Sequence, residues 1–143
     1  MIPSKFKALR QRPERPSHKE VNGKLAAAKA LIQLDRWRPA EYAKMQANWD
    51  EIEAVCSMDT AAPEDQTSLL LAALNEITPE RYCGGRPPDK ADEKSVRGRE
   101  MWEFRWVSVF FGREMYLKFC VGKGDEANRR LYMLSLHPDR PVQ

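Results

Sequence analysis

The sequence predicts an α+β domain, with about three N-terminal helices packed on a C-terminal antiparallel β-meander. Three observations carry this reading. Residues 22–82 hold Ala/Leu-rich or amphipathic segments separated by prolines, as helices do. Residues 101–137 hold three β-like runs in which apolar and polar residues alternate, the period of a half-buried strand. Helical segments come first and strand-like ones after, which is the order of an α+β domain.

Residues 1–20 read as a flexible basic arm, because Pro3, Pro13 and Pro16 and dense charge leave little to bury. Residues 21–143 then form a single domain. Asn22 is the expected cap of a first helix through KLAAAKALIQLDRW, and Arg38-Pro39 breaks it. Pro39 suits the first turn of a second helix, which runs to about residue 57. Tyr42, Met45, Trp49, Ile52 and Cys56 form one apolar stripe on that helix, read as core or helix–helix contact. Pro63 opens a third helix with Glu64 and Asp65 in its first turn, and Thr78-Pro79 starts one more helical turn ending at Tyr82. Residues 83–100 are the one long loop, rich in Gly, Pro and charge. Strands follow at about 101–137. Trp102, Phe104 and Trp106 share one face of the first, while Glu103 and Arg105 share the other. In the next run Met115, Leu117, Phe119 and Val121 form an apolar face, and Tyr116, Lys118 and Cys120 point the opposite way.

Composition narrows the class. A hydrophobic fraction of 42% and a charged fraction of 31% suit a globular protein in water. No run approaches the length of a membrane span, and the N-terminus lacks the apolar stretch of a secretory signal, so a cytoplasmic protein with no membrane partner is expected. Cys56, Cys83 and Cys120 are odd in number and far apart, which argues against a disulfide framework or a zinc site. The net charge of +3 is unevenly spread. Residues 1–20 carry six Arg/Lys against two Glu, and residues 97–143 carry nine against six acids, so the helical middle is net acidic. Basic ends and an acidic middle suggest an anionic ligand or a partner surface.

No phosphate-loop, nucleotide or metal signature is present, so no cofactor or metal is expected. The chemistry concentrates on the polar sheet face. His137 ends the last strand and can act as general acid or base near neutral pH. Glu103, Arg105, Tyr116, Lys118 and Arg140 join it if the strands pair in sequence. Arg and Lys would hold phosphates, and Tyr would stack on a base or donate to it. Cleavage of RNA through its 2′-hydroxyl needs such groups and no metal. The same residues also suit a solvated face with cross-strand salt bridges, Glu103 with Lys118 for example.

A resemblance bears on the choice. LNEITPERY, a charged loop, the Trp-led strand MWEFRW, GREMYLKFCV and a last strand ending LSLHPDR occur in that order from Leu74 onward. This C-terminal half resembles the motility quorum-sensing regulator (MqsR) toxins, mRNA interferases with a RelE-like fold. The resemblance implies a catalytic tyrosine at Tyr116. His137, Glu103 and Arg86 stand near positions where the family has a lysine, a glutamine and a lysine. It implies mRNA as substrate, with Tyr116, His137 and Glu103 catalytic and Arg86, Arg105, Lys118 and Arg140 on the backbone. It also implies an antitoxin partner. Two other readings stay open: a non-enzymatic phage- or plasmid-encoded interaction or inhibitor protein, using the acidic helical region or a homodimer through helix 39–57, and a nucleic-acid-binding module using the basic arm.

Overall fold

A computed structural model describes residues 15–123 and 128–140. Helix α1 spans His18–Gln33 and starts earlier than Asn22, because Ser17 caps it by accepting the Glu20 N–H at 3.1 Å. Residues 18–20 therefore belong to α1 rather than to an arm, residues 15–17 lead into it, and residues 1–14 of the expected arm lie outside the described residues. The helix also stops before Arg38-Pro39. Asp35 takes a left-handed conformation (φ 58°), and the N–H groups of Asp35 and Arg36 bond back to the carbonyls of Ile32 and Leu31.

The released chain forms a short strand, β1 (Trp37–Pro39), before α2 (Tyr42–Cys56) and α3 (Pro63–Glu76). Pro39 is thus a strand residue and not the start of the second helix. It sits on an edge strand, where its missing N–H removes no ladder bond that the sheet needs. The turn predicted at Thr78-Pro79 is present as a 3₁₀ helix, Pro79–Arg81. Strands β2 (Trp102–Ser108), β3 (Arg113–Val121) and β4 (Leu131–Pro138) form the expected meander. The sheet nevertheless has four strands in the order β1-β4-β3-β2, with β1 parallel to β4. It is mixed, where a three-stranded antiparallel sheet was expected.

One layer of helices covers the inner sheet face. Trp102, Phe104, Trp106, Met115, Leu117 and Phe119 bury there against α1, α2 and α3. Met45, Trp49 and Ile52 of the α2 stripe enter this core, while Tyr42 remains 74% exposed at its end. Past β1, the edge of β4 is finished by a side chain: Asn48 Oδ1 of α2 accepts the Leu136 N–H at 2.8 Å.

The outer face is not open along its whole length. Ala91 and Val96 of the long loop pack on Cys120 and Leu134, with Ala40, Met101 and Tyr132 around them. Leu134 reaches that side because β4 carries one extra residue opposite the Lys118–Phe119 step, a β-bulge. Loop 83–100 is fastened through bonds such as Ala91 N–H to Arg99 O and Ser95 Oγ to Ala40 O. Among the described residues, no helix is long and apolar enough to cross a membrane.

Candidate active site on the outer sheet face

The strand register puts Arg105, Tyr116 and His137 in one row across β2, β3 and β4. All three side chains stand on the outer face, because the inner-face positions beside them are the buried Phe104, Trp106, Met115, Leu117 and Leu136. The Tyr116 and His137 ring centroids are 5.2 Å apart, and the Arg105 guanidinium lies over the Tyr116 ring at 5.4 Å. The Tyr116 hydroxyl donates to Glu103 Oε1 at 2.5 Å. Burial, followed by this bond and the adjacent Glu103 charge, raises the Tyr116 pKa, so the phenol holds its proton.

His137 is 7% exposed. Its Nδ1 donates to the Pro138 carbonyl oxygen at 2.7 Å, which leaves Nε2 to face Arg140 Nη1 at 3.3 Å. Burial lowers its pKa, and the Arg140 charge adds to that. The ring is therefore neutral near pH 7, with a lone pair on Nε2. Arg140 is held in turn by Glu51 of α2 at 2.7 Å, and Arg105 by Asp139 at 3.0 Å.

Lys118 shares this face but leans elsewhere. It pairs in register with Glu103, yet it lines a cavity of about 390 Å³ with Lys44 and Glu93. The Glu103 carboxylate accepts from Tyr116 in place of the expected cross-strand ion pair. Arg86 is exposed in the long loop. The fold thus gathers Tyr116, His137, Glu103, Arg105 and Arg140, with Lys118 about 7 Å along β3, two strand residues from Tyr116.

Three neighbours were not singled out from the sequence. Asp139 and Glu51 hold the two arginines, and Cys83 lies close enough for Arg105, Glu103 and Asp139 to act on its thiol. Burial raises the Cys83 pKa, so it is a thiol and not a thiolate nucleophile near neutral pH. The alternating charges of HPDR give a local hint of Asp139, whereas Glu51 is 89 residues from Arg140 and gives none.

Among the described residues, no group of three or more His, Cys, Asp or Glu side chains is arranged to hold a metal ion. Compared with known proteins, the chain matches no family model, no curated protein and no solved structure.

Proposed function

We propose that the chain is an endoribonuclease whose own side chains cleave mRNA by acid/base chemistry, as a toxin of the RelE/MqsR-like type controlled by an antitoxin. The single observation that carries this reading is the Arg105–Tyr116–His137 row, with a neutral imidazole beside a proton-bearing phenol. As Arg140 turns from His137 Nε2 to the phosphate, Nε2 takes the proton of a ribose 2′-hydroxyl. The freed oxygen bonds to the adjacent phosphorus as the bond from phosphorus to O5′ breaks. The Tyr116 hydroxyl, which rests on Glu103, turns from it and gives its proton to the leaving O5′, whose alcohol is the weaker acid. Products are a 2′,3′-cyclic phosphate and a 5′-hydroxyl, and the His137 proton returns to Tyr116 through solvent. Arg105 and Arg140 offset the charge that builds on the phosphorane, with Lys118 and Arg86 toward the flanking backbone.

The test is induction in bacteria of the wild type and of a Tyr116→Phe/His137→Ala double variant. Growth arrest and mRNA fragmentation are expected for the wild type only, with cleavage by the purified variant reduced about 100-fold or more. Equal growth of the two cultures with intact mRNA overturns the proposal.

A second reading, a non-enzymatic protein that binds a partner through its helices, is favoured by the solvent face of α2. Tyr42 and Val55 are exposed there, beside Glu41, Asp50 and Glu53. The core already uses Met45, Trp49 and Ile52, so a homodimer through this helix would use that outer surface. Light scattering during size exclusion separates the readings: a stable dimer that leaves RNA intact favours the second.

A further inference from the structure

Basic side chains also gather away from the Tyr116 face. A cavity of about 480 Å³ is lined by Lys24, Lys90, Arg97, Arg99 and Lys123, with Glu100 as the one carboxylate among the described residues of its wall. It does not stand alone. A second cavity of about 340 Å³ shares Arg97, Arg99 and Lys123 with it and adds Lys94. A third, of about 450 Å³, shares Lys24 and Val121 and adds Lys19 and Arg129, with Glu20 as its carboxylate. The three join into a groove that crosses the end of β3 and the first turns of α1.

Two of the groove's arginines carry unmatched polarity. One terminal nitrogen of Arg99 and the Nε of Arg129 are out of solvent and meet no acceptor among the described residues. Such groups are costly to leave unsatisfied, and the two side chains would have to turn toward the groove to meet an anionic oxygen there. Trp102 is 1% exposed and Lys24 lies over its ring at 5.4 Å, so the aromatic that the walls offer for stacking is the half-buried Tyr132 of the second cavity.

We infer that this groove is a track for the phosphodiester backbone of single-stranded nucleic acid, read through its phosphates without regard to sequence. Three linked basic cavities fit a chain of phosphates better than one small anion, and Tyr132 in the wall suits the unpaired bases of a single strand. Trp102 and Arg105 are three residues apart on β2, about 10 Å, and point to opposite faces of the sheet, so the Trp102 end of the track does not share the face of the Tyr116 row. The inference does not rest on cleavage.

The probe is therefore a labelled single-stranded oligodeoxynucleotide, which lacks the 2′-hydroxyl that cleavage needs. Its affinity is measured by fluorescence anisotropy between about 50 and 200 mM salt, where each backbone contact on a single strand contributes about 0.7 to the slope of log affinity against log salt. Arg97→Ala/Lys123→Ala, at two exposed positions, is expected to make that slope shallower by about 1.4. Arg97→Lys/Lys123→Arg is expected to keep it, and so is Tyr116→Phe/His137→Ala. An oligoribonucleotide of the same sequence is expected to bind equally to the Tyr116→Phe/His137→Ala variant. No binding, an unchanged slope in the alanine variant, tighter binding of a duplex, or full competition by stoichiometric inorganic phosphate overturns the inference.

Discussion

Glu76 shows how much one side chain can organise. It lies at the C-terminal end of α3, where the helix dipole disfavours a carboxylate. Its oxygens nevertheless accept four hydrogen bonds, from Trp106 Nε1 at 3.0 Å, Ser108 Oγ at 2.6 Å and the N–H groups of Val109 and Phe110 at 2.9 Å each. Burial pushes the carboxyl pKa up, and the four donors more than offset it, so the net position is below the ordinary 4.5. The β2–β3 turn is thereby tied to α3. Replacing Glu76 with Ala should destabilise the fold by about 1–3 kcal/mol, since the Trp106 and Ser108 donors lose their acceptor. Thermal melting near neutral pH measures this, and a variant melting with the wild type would refute it. A carboxylate with a depressed folded pKa stabilises above its unfolded value and loses that contribution as pH falls through the folded one. The gap between wild type and Glu76→Ala should therefore narrow below about pH 4.5.

Among the elements, β4 carries the most. It is hydrogen-bonded to β1 on one side and β3 on the other, and α2 packs along it. Its bulge allows Met133 and Leu136 to face the core while Leu134 and His137 face outward. β1 covers only Leu131–Met133, so the Leu136 N–H depends on Asn48. Asn48→Ala should cost about 1–3 kcal/mol and speed hydrogen exchange at Leu136 above all other β4 amides. Asn48→Asp keeps an acceptor oxygen and should recover much of the loss. Uniform exchange along β4 in the Ala variant would count against this account of the edge.

For the molecule as a whole, acid should act first through His137. Its folded pKa is below the ordinary 6.5, so between the two values the unfolded chain binds the extra proton. Stability contributed by the neutral ring is complete above 6.5 and declines as pH falls toward the folded value. The groups facing the ring are Arg140, which opposes protonation, and Glu51 and Asp139, which favour it less strongly than burial disfavours it. The melting temperature should fall as pH drops from 7 to 5, and His137→Gln should flatten that fall. An identical profile for the variant would assign the acid sensitivity elsewhere.

Much of this architecture is legible from the residues. The periods of three to four and of two placed the α2 stripe, the third helix, the Thr78-Pro79 turn and the inward rows of β2 and β3, because those periods are set by local backbone geometry. They also put Tyr116 and Arg105 on the polar face. Local geometry could not give β1, since Trp37-Arg38-Pro39 becomes a strand only by pairing with β4, nor the early stop of α1, which depends on Asp35 adopting a positive φ. It could not give the bulge that turns Leu134 outward, or the loop that covers Cys120. Glu51 behind Arg140, Asp139 behind Arg105 and the joining of Lys24, Arg99 and Lys123 into one groove depend on contacts between distant parts of the chain. The sequence by itself determined which faces are apolar and which residues carry charge. Only the tertiary structure decided which charges meet, because electrostatic pairing depends on distance in space, and the sequence records distance along the chain.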